Sequence, residues 1–149
     1  AERIVRAALT LVGERAAAVA FCGSAFLLGI PVFFDSLFLL AIPLVKATWL
    51  KVKKNYVLFV IALVAGGTMT HSLVPPTPGP LFVAEELGVN LGTMILTGII
   101  IGICCSTVGL LYARWLNQRM EVPLRETPEA MKKLEELAQR DINELPSLE

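Results

Sequence analysis

The sequence predicts an all-α, polytopic membrane protein, and three observations support this fold class. The chain is 55% hydrophobic and only 17% charged, whereas soluble domains carry about 25% charged residues. Asp35 is the only charged residue between Ala16 and Val45, and the stretches 55–84 and 87–113 contain no Asp, Glu, Lys or Arg. Each of these three stretches exceeds the ~20 residues that cross a hydrocarbon core. We therefore expect a re-entrant helical hairpin, a proline-broken transmembrane helix, a further transmembrane helix and a cytoplasmic helical tail.

The two ends of the chain are predicted to lie outside the membrane. Residues 1–15 carry apolar side chains at helical spacing together with five charges, which indicates an amphipathic cytoplasmic helix and excludes a signal peptide. Residues 117–149 are rich in charge and are predicted to form a cytoplasmic loop or helix. Between them, residues 16–116 form the predicted membrane domain. The chain does not begin with Met and has few apolar stretches for a transporter, so we expect a fragment of a longer protein.

The first membrane segment, residues 16–50, is either a re-entrant hairpin or one straight transmembrane span, and a pair of transmembrane helices kinked at proline is a further alternative. Basic residues precede it at Arg15, follow it from Lys46 to Lys54, and recur after the last apolar stretch at Arg114. Cytoplasmic loops are enriched in Lys and Arg. A hairpin places all these basic clusters on one side of the membrane and the acidic pair Glu85–Glu86 on the other. The charge distribution therefore favours the hairpin.

Prolines break the second membrane segment, residues 56–87, inside its apolar length. Proline lacks the N–H group and disfavours a helical conformation in the residue before it, so residues 71–80 are predicted to be unwound. Unpaired backbone at membrane depth survives only where protein or a water-filled cavity covers it, and many secondary transporters build substrate sites from such breaks. The prolines assigned to structural breaks are Pro31, in the first segment, and Pro75, Pro76, Pro78 and Pro80.

The third membrane segment, residues 90–116, is predicted to be one transmembrane helix. Gly98 and Gly102 have the small-xxx-small spacing that allows helices to approach closely. Tyr112 and Trp115 suit the aromatic belt at a membrane interface.

Five residues around the second break are candidates for substrate binding. His71 is the only histidine, and in an apolar run such a residue is either a satisfied structural group or a functional donor. The hydroxyls of Thr70, Ser72 and Thr77 offer ligand contacts, although bonding to nearby backbone is an equal alternative. Gly79 lets the backbone approach a ligand, and the helix that follows the break would present free N–H groups to a carboxylate.

Asp35 and His71 are the candidates for proton coupling. Asp35 is the only acid inside an apolar stretch, and a charged side chain at bilayer depth costs at least ~2.5–3.5 kcal/mol. A carboxyl group that is costly to keep charged is a candidate proton carrier. The alternative is a structural aspartate that accepts hydrogen bonds from free N–H groups at the tip of the hairpin, next to Pro31.

No metal, cofactor or enzymatic chemistry is predicted. Cys22, Cys104 and Cys105 lie in apolar stretches without a zinc-binding spacing. No Ser or Cys nucleophile motif accompanies the single histidine, so an intramembrane enzyme is disfavoured. The net charge of zero offers no basic face for a nucleic acid.

The proline-rich segment resembles the gluconate permease family, whose members are gluconate:proton symporters of the ion transporter superfamily. Residues 70–80 read Thr-His-Ser-Leu-Val-Pro-Pro-Thr-Pro-Gly-Pro, where the family has Thr-His-Gly-x-x-Pro-Pro-His-Pro-Gly-Pro. Upstream, residues 29–35 read Gly-Ile-Pro-Val-Phe-Phe-Asp, similar to a family turn that ends in an acid. The resemblance runs from about Arg3 to Pro128. Ser72 replaces a family glycine, and Thr77 replaces a second histidine, which removes an ionisable group.

This resemblance implies proton-coupled uptake of gluconate, a related sugar acid or another small organic acid by a multi-pass transporter in the bacterial inner membrane. It also implies inverted repeats, of which this chain would be most of the N-terminal one. The expected partners are a gluconate-like anion, protons, the lipid bilayer, the remainder of the same transporter and a second copy in a homo-oligomer. The alternative is a non-transporting membrane assembly or regulatory protein.

Overall fold

A computed structural model describes residues 17–52, 54–120, 122 and 129–132. These residues form five helices and one further helical turn at 129–132, with no strand among them. The helices are α1 (Ala17–Leu28), α2 (Phe34–Val52), α3 (Tyr56–Leu73), α4 (Pro78–Glu86) and α5 (Leu91–Arg119). The all-α prediction is confirmed. The predicted helix at 1–15 and most of the predicted tail at 117–149 lie outside the described residues.

The first membrane segment is two helices joined by a turn at residues 29–33, which we call the first turn. The Gly29 N–H donates to the Ala25 carbonyl at 2.8 Å and ends α1. Pro31 lies in the turn, and α2 begins at Phe34 with Asp35 in its first helical turn. The chain is therefore not one straight helix through this segment. That the helix pair is re-entrant stays a prediction.

The second chain break is shorter than the sequence predicted. We expected residues 71–80 to be unwound, but α3 continues to Leu73 and α4 begins at Pro78, which leaves only residues 74–77. We call these residues the proline break. The prediction was wrong in extent because proline is tolerated in the first turn of a helix, where its missing N–H would have no acceptor. At the other side of the break, the Val74 N–H closes α3 on the Thr70 carbonyl at 2.9 Å.

Close contacts at small residues hold α1, α3 and α5 together. An added Cβ at Gly66 would overlap the Cys22 carbonyl of α1, and one at Gly98 would overlap the Leu73 carbonyl of α3. One at Gly102 would lie 3.0 Å from the Phe26 ring. The predicted close approach at Gly98 and Gly102 is thus confirmed: side chains larger than hydrogen would separate these helices.

The outer surface of the described chain is largely apolar. Two helical segments, Tyr56–Glu86 and Leu91–Arg119, are long and apolar enough to cross a membrane. Only small residues of α5 are buried, whereas large apolar side chains on its other faces are exposed. These exposed side chains include Leu96, Ile100, Ile101, Ile103, Val108 and Leu111. Such a surface suits contact with lipid or with further protein.

Candidate substrate site beside the proline break

The first turn packs against the last two turns of α3. A Cβ added at Gly29 would lie 3.2 Å from the Gly67 carbonyl oxygen and 3.3 Å from the Thr70 Cβ. Gly67 in turn leaves room for the Phe34 ring, which would lie 2.8 Å from an added Cβ there. The first turn therefore faces the helical end of α3, directly before the proline break.

Thr70 fastens this contact through its hydroxyl. The residue is completely buried, and its Oγ1 donates to the Phe26 carbonyl at 2.9 Å and to the Gly66 carbonyl at 3.1 Å. The first bond joins α3 to α1, and the second stays within α3. Of the two roles that the sequence left open for this hydroxyl, the structure shows bonding to backbone.

His71 lies at the surface of this contact with one nitrogen unpaired. Its ring meets the Phe33 ring in an edge arrangement, with centroids 5.9 Å apart and planes inclined by 64°. The imidazole Nδ1 is buried and has no hydrogen-bond partner among the described residues. A buried polar atom without a partner costs about 1–3 kcal/mol. His71 is therefore the residue of this region with a buried polar atom that the described chain leaves without a hydrogen bond.

The remaining predicted substrate-binding residues divide into two kinds. Thr77 is buried, and its Oγ1 donates to the Val74 carbonyl at 2.9 Å, so its hydroxyl stabilises the proline break itself. Ser72 is exposed on the last turn of α3, and Gly79 is exposed in the first turn of α4. A Cβ added at Gly79 would meet no atom of the described chain within 4 Å. Ser72 and Gly79 thus remain open to a ligand, whereas Thr77 does not.

The N-terminus of α4 offers fewer amides than a typical anion-binding helix end. Pro78 and Pro80 carry no N–H group, and the Leu81 N–H is already bonded to the Thr77 carbonyl at 3.2 Å. Among the first residues of α4, Gly79 alone has a free amide. A carboxylate here would meet one backbone donor rather than the several that helix N-termini usually present.

Asp35 is exposed at the start of α2, two residues after the aromatic ring that touches His71. Its carboxylate makes no hydrogen bond within the described chain, so the capping contact that the sequence offered as an alternative is not observed. In the first turn of α2, its negative charge is favourably placed at the positive end of the helix dipole. Asp35 is thus two residues along the chain from Phe33, whose ring contacts His71.

Sequence reasoning missed the contributions of Phe33 and Gly67. Phe33 contacts the candidate histidine, and Gly67 creates the space that seats Phe34 and the first turn. The available signals were an aromatic pair directly before Asp35, the only acid between Arg15 and Ala84, and the Gly66–Gly67 pair inside an apolar helix. Both signals indicate close packing, and neither identifies the distant residue that each position contacts.

The described residues contain no group of three His, Cys, Asp or Glu side chains that could hold a metal ion. Cys22 is buried, with its sulfur 4.0 Å from the Ser106 carbonyl oxygen. Cys104 is exposed and Cys105 half-buried, both on α5, and none of the three cysteines forms a disulfide. The cysteines therefore belong to helix packing and helix surface rather than to the candidate site.

Comparisons with known proteins identify relatives along the whole chain. The family model described as GntP family permease matches residues 1–149. An uncharacterized permease of Haemophilus influenzae is 34% identical over 99% of this chain and 31% of its own length. A gluconate permease of Zymomonas mobilis is 35% identical over 83% of this chain and 28% of its own length. The D-serine transporter DsdX of Escherichia coli is 32% identical over 80% of this chain and 26% of its own length. The chain thus spans less than a third of these relatives, and no solved structure gives a significant match.

Proposed function

The chain belongs to the GntP permease family, and on that premise we propose that it forms part of a secondary transporter for a small organic acid. The transporter takes up gluconate or a related hydroxylated acid together with protons across the bacterial inner membrane. The described residues supply one wall of the substrate site, and the remainder of the transporter supplies the rest.

The unpaired Nδ1 of His71 is the observation that carries this proposal. It lies where the first turn meets the end of α3, directly before the proline break. The exposed hydroxyl of Ser72 and the free amide of Gly79 flank the same break. In a bilayer, unsatisfied polar groups persist only where they line a protein or water-filled cavity. The His71 Nδ1, the Ser72 hydroxyl and the Gly79 amide together form a set of donors and acceptors suited to a polar ligand.

The substrate class follows from the chemistry of this set and from two relatives. The relatives are named a gluconate permease and a D-serine transporter, and both of these substrates carry a carboxylate and at least one hydroxyl group. The described site contains no Lys or Arg near the break, so the carboxylate is held by neutral donors and by His71. We therefore assign a small hydroxylated carboxylate, with gluconate as the first candidate.

Proton coupling is assigned to Asp35. It is the only carboxylate between Arg15 and Ala84, and it is exposed at the start of α2, two residues after Phe33, whose ring contacts His71. An ionisable residue inside a membrane segment marks proton or substrate pathways. A proton on Asp35 removes the one negative charge on this wall while the substrate anion is bound.

The test is uptake of radiolabelled gluconate by the full-length permease in proteoliposomes with an imposed pH gradient, with unlabelled D-serine as a competitor. We expect accumulation that requires the gradient, and a loss of about tenfold or more in His71→Gln, equivalent to about 1.4 kcal/mol. Thr97→Val is the matched control, because the Thr97 hydroxyl is exposed on α5 and bonds only within its own helix.

Two results would contradict the proposal. If His71→Gln transports at the wild-type rate, His71 does not hold the substrate. If no hydroxylated acid accumulates under any gradient, the non-transporting alternative is favoured.

A further inference from the structure

The helix ends opposite the first turn are tied together by a side-chain hydrogen bond. Asn117 Nδ2, near the end of α5, donates to Asn55 Oδ1, between α2 and α3, at 2.8 Å. Asn55 has a left-handed backbone conformation (φ 64°), which turns the chain sharply into α3. The C-terminal turns of α5 and the α2–α3 connection therefore lie at the same end of the molecule.

The described helical residues at this end include basic side chains and no carboxylate. Lys54, Arg114 and Arg119 are exposed here, and none of them forms an ion pair within the described chain. No Asp or Glu occurs from Ser36 to Ala84 or from Leu87 to Met120. Among the described residues at this end, the helices therefore supply positive charge and no carboxylate to neutralise it.

One exposed side of α5 combines this charge with aromatic rings. The Arg119 guanidinium carbon lies 5.3 Å from the centroid of the Trp115 ring, and the rings of Trp115 and Tyr112 are 5.7 Å apart. An arginine stacked on a ring keeps its N–H edge free for a bidentate acceptor such as phosphate. The indole N–H and the phenol hydroxyl make no hydrogen bond within the described chain. Three donors thus share one surface.

We propose that this aromatic–basic surface, formed by Arg119, Trp115 and Tyr112, binds the phosphate of an anionic phospholipid headgroup. A lipid is favoured over soluble phosphate because the same side of α5 continues with exposed apolar residues. Val108 and Leu111 lie one to two turns before Trp115 and are 66% and 57% exposed. Acyl chains would lie along them, with the headgroup at the basic end where Trp, Tyr and Arg anchor membrane helices. This assignment is independent of the transported substrate.

The test is native mass spectrometry of the full-length permease in detergent, with phosphatidylglycerol and phosphatidylcholine of identical acyl chains. We expect the wild type to retain phosphatidylglycerol in preference. Arg119→Gln should lower that retention about five-fold, the effect expected for one basic residue near an anionic headgroup. Lys132→Gln is the matched control, since Lys132 is exposed on the helical turn at 129–132 and lies outside the surface.

Each outcome decides the matter. Equal retention of the two lipids by the wild type contradicts the proposed site. Unchanged retention of phosphatidylglycerol in Arg119→Gln contradicts it as well. An equal loss in Lys132→Gln shows general charge attraction, and displacement by inorganic phosphate shows a site for the free ion; both overturn the proposal. If Arg119→Gln does not fold, Arg119→Lys replaces it, with a partial loss expected because the charge stays and the planar fork is removed.

Discussion

Two regions of this chain differ in how completely their polar groups are hydrogen-bonded and their backbones packed. Where α1, α3 and α5 cross, backbone touches backbone at glycines, and Ser106 adds a bond from its Oγ to the Ala65 carbonyl at 3.2 Å. Around the first turn and the proline break, Asp35, Ser72 and the Nδ1 of His71 have no partner among the described residues. The first region therefore fixes the helices, and the second presents unpaired polar groups.

The difference teaches where tolerance to substitution should lie. At the helix crossings, an added methyl group meets a carbonyl that belongs to another rigid helix, so neither side can move without cost. Beside the break, Ser72 and Gly79 are exposed, so substitutions at these two positions should change transport more than folding. Four variants test this division.

Gly66→Ala is expected to have the largest effect. Its Cβ would overlap the Cys22 carbonyl, and overpacking typically costs about 1–3 kcal/mol. The measurement is the temperature at which half of the full-length permease remains monodisperse in detergent. Gly23→Ala is the control, because an added Cβ there meets nothing within 4 Å. Equal melting of the two variants would show that α1 and α3 do not cross as described.

Asp35→Asn should reduce proton-driven uptake about tenfold, equivalent to about 1.4 kcal/mol, without altering thermal stability. The amide cannot carry a proton, so the increase in uptake at low external pH should disappear. Uptake at several external pH values measures this, with Glu85→Gln as the control because Glu85 is an exposed acid of α4. A variant with the wild-type pH dependence would remove Asp35 from the coupling mechanism.

Thr70→Val should destabilise the protein by about 1 kcal/mol, the net value of a typical hydrogen bond. The change keeps the shape of the side chain and removes its donor to the Phe26 carbonyl of α1. Thr68→Val is compared with it, since the Thr68 hydroxyl bonds only to Val64 within α3. Equal melting temperatures of the two variants would show that the bond between Thr70 and the Phe26 carbonyl adds no stability.

Gly79→Ala should have the smallest effect on stability, within about 0.5 kcal/mol of the wild type. The added Cβ meets no described atom within 4 Å, and alanine is favoured over glycine in a helix. Thermal melting measures this, and gluconate uptake by the same variant shows whether a Cβ at this position obstructs the approach of substrate to the Gly79 amide. A large drop in melting temperature would mean that this position is packed by another part of the transporter.

Local patterns in the sequence were sufficient to predict the helices and the positions of their interruptions. Charge-free stretches predicted the membrane-length segments, and the prolines located both breaks. The extent of the second break was wrong because prolines at positions 78 and 80 were taken as helix-breaking, whereas the first turn of a helix accepts them. The Gly98–Gly102 spacing predicted a close contact that the structure contains.

Contacts between distant parts of the chain could not be predicted in the same way. The Thr70 hydroxyl reaches a carbonyl 44 positions earlier, and His71 meets the ring of Phe33. Neither pairing leaves a periodic signal, because it depends on how α1 crosses α3. The sequence could nominate Thr70 and His71 as polar groups in an apolar run. It could not tell that the Thr70 hydroxyl is hydrogen-bonded to backbone carbonyls and that the His71 Nδ1 has no hydrogen-bond partner in the described chain.

The bond from Thr70 to the end of α1 has a mechanical consequence. It lies one helical turn from the Gly66–Cys22 crossing, so the end of α1 and the end of α3 are attached to each other at two successive levels. A hinge between them would have to rupture both attachments at once. If the proposed transport function holds, these elements should move as a single rigid block, and any sliding between parts of the transporter should occur along the outer faces of that block.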